Sequence, residues 1–127
     1  MTSDPPPAVP ADVTFIPAPE PRDAAAIATA ICQALIDARA AAIPQPDYVH
    51  FHAGTSPSAG LLFTPDSPQA AWDALRSWAR YRNTTVTATQ APDRPRTYLA
   101  RATWHHDSIQ FEAYAHITTP PDPGPGQ

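Results

Sequence analysis

The chain has 127 residues, a net charge of -4 and 43% apolar side chains, and all eight of its basic residues are Arg. That is one domain's length, and no apolar run approaches the roughly 20 residues of a membrane-spanning helix. Cys32 is the single Cys, so an internal disulfide is excluded; the acidic, Pro-rich start lacks the basic and apolar parts of a secretory signal, and a cytoplasmic protein that does not engage a membrane is expected.

Proline placement divides the chain. Of 18 prolines, seven fall between Pro5 and Pro21 and four between Pro120 and Pro125, whereas residues 22–43, 69–91 and 96–119 have none. Proline lacks a backbone N–H and fixes φ, so it is excluded from helix interiors and central strands. The expected organisation is a Pro-rich disordered arm over 1–21, a single domain over 22–119 and a Pro/Gly-rich disordered tail over 120–127. Val13 to Ile16 is the exception in composition: the segment reads as part of the solvated arm, with packing of its bulky apolar residues on the domain or on a sheet edge as the alternative. The excess of Ala, Pro and Arg without Lys resembles high-GC bacterial coding.

The first element is a helix from about Asp23 to Ala42. Asp23 suits an N-cap, and Ile27, Ile31 and Leu35 with Ala24, Ala34, Ala38 and Ala42 form one stripe at helical period. Pro44 and Pro46 are expected to end it. Tyr48 to Ala53 alternates, with Val49, Phe51 and Ala53 on one face and Tyr48, His50 and His52 on the other. Gly54 to Gly60 reads as a loop, and Leu61 to Thr64 as a returning strand.

A second helix starts at Ser67-Pro68, an N-cap followed by proline in the first helical position. Its stripe is Ala71, Ala74, Leu75 and Trp78, flanked by Trp72 and Ala79, and Asn83 suits its end. Three strands follow. They cover Thr84 to Gln90, Thr97 to Trp104 after a loop at 91–96, and Ile109 to Ile117 after a connection made by His105-His106-Asp107-Ser108. The last alternates most strongly, with Ile109, Phe111, Ala113, Ala115 and Ile117 against Gln110, Glu112, Tyr114 and His116.

The order α-β-β-α-β-β-β predicts an α+β two-layer sandwich: an antiparallel five-stranded sheet with two helices on one face. Its other face would then be open. On this register it displays Tyr48, His50, His52, Leu62, Leu99, Arg101, Glu112, Tyr114 and His116, and of these Tyr48, His50, His52, Arg101, Glu112, Tyr114 and His116 are the candidate binding residues. Tyr, His and Arg combine contact area with adaptable hydrogen bonding.

Other chemistries fit less well. His50-x-His52 on a strand is a metal-binding device, and His116 with Glu112 would complete a site only if the first and last strands paired. Gly54 to Gly60 lacks the Lys and following helix of a phosphate loop and the spacing of a nucleophile elbow. Cys32, at the border of the first helix's stripe, has no His or Asn signature beside it. Six Arg against one Asp between Arg76 and Arg101 give that stretch +5, and Arg76, Arg80, Arg94, Arg96 and Arg101 form a basic segment suited to phosphate. The leading expectation is a non-enzymatic interaction module with no catalytic residue, cofactor or metal, binding a protein partner or pairing as a homodimer. A nucleic-acid accessory protein using the basic segment, and a metal-dependent enzyme using His50, His52 and His116, are the alternatives.

Overall fold

A computed structural model describes residues 11–14 and 23–118. The expected Pro-rich arm and tail lie largely outside the described residues, as do Phe15 and Ile16; Val13 is exposed. The elements run α1 (Ala24–Ala40), β1 (Tyr48–His52), β2 (Ser58–Leu62), α2 (Pro68–Tyr81), β3 (Thr87–Ala91), β4 (Arg94–His106) and β5 (Ile109–Ile117).

Both helices begin and end on local chemistry. The Asp23 carboxylate accepts from the Ala26 N–H at 2.8 Å, and the Ser67 hydroxyl accepts from the Ala70 N–H at 3.1 Å. Each helix then closes with a paired set of backbone bonds around one left-handed residue. In α1 the Ala42 and Ile43 N–H groups donate to Arg39 and Ala38, with Ala42 at φ 61°. In α2 the Asn83 and Thr84 N–H groups donate to Arg80 and Ala79, with Asn83 at φ 55°. The first helix therefore stops at this turn, before Pro44 and Pro46 act, and Ala24 and Ala42 stand exposed at its ends.

The sheet is mixed, which corrects the antiparallel expectation. Its order is β1-β2-β5-β4-β3, and β2 pairs with β5 in parallel while every other pair is antiparallel. The chain leaves β2 through α2, lays down the β3–β4–β5 meander, and inserts β5 beside β2. Parallel neighbours need a crossover, and α2 begins that connection.

Several boundaries also move. β2 starts at Ser58, so the loop after β1 is shorter than the 54–60 expected. β3 and β4 meet in a two-residue turn in place of a loop at 91–96, and the register shifts between Gln90 and Ala91. His105 and His106 belong to β4, and the β4–β5 turn is Asp107-Ser108 alone, at φ 53° and 61°. Positive φ at both central residues matches the twist of the hairpin.

One core fills the helix side of the sheet. It takes Ile27, Ile31, Ala34 and Ala38 from α1, the whole expected stripe and flank of α2, and Ala100, Ala102, Trp104, Ile109, Phe111, Ala113, Ala115 and Ile117 from the central strands. Trp78, Trp104 and Phe111 stack in a column, with successive ring centroids 5.3 and 5.6 Å apart. The Trp78 indole N–H donates to the Pro44 carbonyl at 2.7 Å, which ties the loop before β1 to α2. Leu35 is only partly buried, and Cys32 is exposed instead of packing at the border of the stripe.

Candidate binding face on the open side of the sheet

Neither helix packs on the second face of the sheet. Buried Ala100, Ala102 and Trp104 of β4 point to the helices, so Leu99, Arg101, Thr103 and His105 point the other way. In β5 the buried series Ile109 to Ile117 leaves Gln110, Glu112, Tyr114 and His116 on that same open side.

Register arranges these side chains in rows across the strands. Tyr48, Leu62, Tyr114, Arg101 and Thr87 form one row from β1 to β3. His50, Gly60, Glu112 and Thr103 form the next, and His52, Ser58, Gln110 and His105 the one beyond. His116 lies level with Leu99 and Thr89. The seven candidate residues thus share one face, together with Thr103, Gln110 and His105, the last of which lies in β4 and not in the β4–β5 connection where its sequence context suggests.

The centre of the face is organised by a glycine. Gly60 sits between His50 and Glu112, and a Cβ on it would collide with the His50 imidazole. Without that Cβ the ring lies over the β2 backbone and reaches the next strand but one. A hydrogen bond of 2.9 Å joins His50 Nε2 to the Tyr114 phenolic oxygen, and the two rings meet edge to face at 5.9 Å. Tyr114 meets His116 edge to face at 6.2 Å on its other side. The sequence places Gly60 in a loop, and the structure places it inside β2, where a glycine lets a side chain of the neighbouring strand approach the backbone closely.

Charge on this face is sparse. Arg101 Nη1 lies 4.0 Å from Glu112 Oε1, and both side chains are well exposed, so the pair contributes little to stability. Arg101 and Glu112 balance, and the remaining polar groups are histidines, tyrosines, threonines, Ser58 and Gln110.

The histidines do not gather as metal ligands. β2 separates β1 from β5, His50 Nε2 is directed at Tyr114, and among the described residues no three of His, Cys, Asp and Glu stand together at ligand range. Nor is any polar or charged residue buried as a whole among them, although the Arg82 Nε atom is buried without a hydrogen-bond partner. A cleft of about 310 Å³ beside the start of α2 brings Asp66, Ser67 and His116 near one another, but the Ser67 hydroxyl is committed to the helix cap.

The basic segment splits between the two sides of the molecule. Arg76 and Arg80 lie on α2 beside Thr84, Thr85 and Val86. Arg94 and Arg96 sit at the start of β4. Arg101 projects from the open face. Arg82 spreads its guanidinium over the Tyr81 ring at 4.8 Å, a contact within its own helix terminus.

Comparison with known proteins gives no match to a family model, to a curated protein or to a solved structure.

Proposed function

We propose that this chain is a non-enzymatic binding module whose open sheet face docks a protein partner. The observation that carries the reading is the His50–Gly60–Tyr114 arrangement at the centre of that face, where a glycine floor lets two aromatic side chains lock together before any partner arrives. Fixed aromatic groups lose little freedom on binding, which is how a small patch gains affinity. Around them stand Tyr48, Leu62, Leu99, Arg101 and His116, a mixture of aromatic, apolar and Arg groups within a rim of threonines.

Charge favours a protein surface over a polyanion. The face carries one Arg against one Glu, too little to neutralise several phosphates, while nucleic-acid interfaces are strongly basic. A partner offering a carboxylate to Arg101 and apolar groups to Tyr48 and Tyr114 matches the pattern.

The test is comparative capture from the native cell. Tagged protein, a Tyr114→Ala/Arg101→Ala variant and an Asp37→Ala control on α1 are used in parallel, and bound protein and nucleic acid are both analysed. The reading requires a protein retained by the wild type and the control but lost with the face variant. A partner retained equally by all three, or retention of nucleic acid alone, overturns it.

A further inference from the structure

The two edges of the sheet differ in how they are protected. β3 is irregular, with a register shift at Gln90/Ala91, and carries only Thr, Ala and Gln. Irregularity and small polar side chains blunt an edge against further pairing. β1 has none of these devices. Its sequence Tyr-Val-His-Phe-His contains no Pro, no acid, no Arg and no glycine, and among the described residues its only neighbour is β2, in an unbroken five-residue register. All five residues are exposed, and β1 supplies Tyr48, Val49 and Phe51 to the exposed large apolar side chains, which otherwise number only Val13 and Ile36 among the described residues. Val49 and Phe51 are 43% and 37% exposed although they lie on the helix side of the sheet.

We infer that β1 is a self-association edge: two copies of this chain pair β1 against β1, antiparallel, about a twofold axis at His50. This is the one antiparallel register that pairs all five residues. It sets Val49 opposite Phe51 of the second copy, and the symmetry repeats the contact, so four apolar side chains meet on the helix side. On the open side it sets Tyr48 opposite His52 and His50 opposite His50. Such cross-strand pairs are the stabilising unit of a sheet, and a self-complementary patch is what a twofold interface requires.

Charge permits this occupant. Each chain is acidic overall, yet the strand that meets its copy contains no Asp, Glu, Lys or Arg, and Asp47 just before it would face Ala53, not another acid. The Asp47 carboxylate is already engaged by the Thr64 N–H at 2.6 Å. The strand is short, so the area lies at the small end of specific interfaces and the dimer is a weak one. Pairing joins two five-stranded sheets into one and brings the two open faces edge to edge. The inference concerns the sheet edge and stands apart from what docks on the face.

Sedimentation velocity on the full chain, from about 1 µM to about 1 mM, tests it. The expected result is a monomer–dimer equilibrium. A Val49→Lys/Phe51→Lys variant, which sets like charges opposite one another, should weaken the dimer at least about tenfold. In a Cys32→Ser background, His50→Cys should form an intermolecular disulfide on mild oxidation, since each new thiol faces its own copy across the strand pair. Circular dichroism checks that both variants fold; if the lysine variant does not, the cysteine variant decides. A wild-type chain monomeric throughout the range overturns the inference. So does a dimer indifferent to the lysines, or one whose His50→Cys form stays unlinked.

Discussion

His50 and Tyr114 are joined across an intervening strand, Nε2 to phenolic oxygen at 2.9 Å, and the residue beneath the imidazole is Gly60. Gly60→Ala is expected to evict the ring. Because His50 is exposed, the imidazole can rotate into solvent, so the clash resolves without moving the backbone. The lost hydrogen bond is worth about 0.5–1.5 kcal/mol, and replacing glycine returns about 0.4–1 kcal/mol through the unfolded state. Net stability should therefore change by less than about 1 kcal/mol. Side-chain NMR of His50 should change fully, and Tyr114→Phe should reproduce the change without touching Gly60. A His50 signal identical in all three proteins would show that the bond does not form.

The two stacked tryptophans should respond differently to the same substitution. Trp78→Phe deletes a donor that serves the Pro44 carbonyl, and because Pro44 is exposed water takes over part of that role. Trp104 Nε1 is buried with no hydrogen-bond partner among the described residues, so Trp104→Phe removes an unsatisfied group. Both lose ring area in the same column. Trp78→Phe should therefore be the more destabilising by about 0.5–1.5 kcal/mol, and truncating Trp78 or Phe111 to Ala should cost about 3–5 kcal/mol each. Urea denaturation of the four variants gives the order. Equal costs for the two Phe variants would contradict the assigned indole bond.

Backbone strain marks four described positions where glycine is absent. Ala42, Asn83, Asp107 and Ser108 hold φ of 61°, 55°, 53° and 61°. Left-handed backbone costs an L-residue with a Cβ roughly 1 kcal/mol, and Asn less than Ala. Ala42→Gly and Ser108→Gly should each stabilise by about 0.5–1 kcal/mol, after allowing for the greater freedom of glycine in the unfolded chain, and Asn83→Gly by less. Thermal melts measure this directly. A loss of stability with Ala42→Gly would mean that α1 does not close on the paired bonds at Ala38 and Arg39.

These local features explain what the sequence could and could not disclose. The caps at Asp23 and Ser67, the α2 stripe and the alternation of β5 depend only on near neighbours, so they were legible. That Tyr48, His50, His52, Arg101, Glu112, Tyr114 and His116 share a face follows from a period of two within each strand, whatever the strand order. Their mutual contacts do depend on that order, and nothing in the alternation of β2 says that β5 will pair with it in parallel. β2 itself was misplaced because Ser58, Ala59 and Gly60 are turn-type residues. They are small because large ones lie beside them: Ala59 is level with Phe51 and Phe111, and Gly60 with His50. The β4–β5 turn was obscured in the same way, since Asp107-Ser108 adopts positive φ without the glycine that usually announces it.

The distribution of arginine sets an expectation for nucleic acid. Long-range attraction to a polyanion is opposed by the net charge of -4, and binding that survives it must come from several cations on one surface. Arg101 leaves the open face and stands beside Glu112, whereas Arg76 and Arg80 leave the opposite side on α2. One duplex or strand lying on either side therefore meets only part of the basic segment. With so few phosphates neutralised, the dependence of binding on salt should be shallow and affinity low even at low ionic strength. Electrophoretic mobility shifts with single- and double-stranded DNA and RNA should show no complex at protein concentrations of about 10 µM, within the range where non-specific binders already associate. A retarded band would reverse this expectation if it weakened steeply with salt and if Arg76→Ala/Arg80→Ala flattened that slope, because α2 would then carry a phosphate-binding surface.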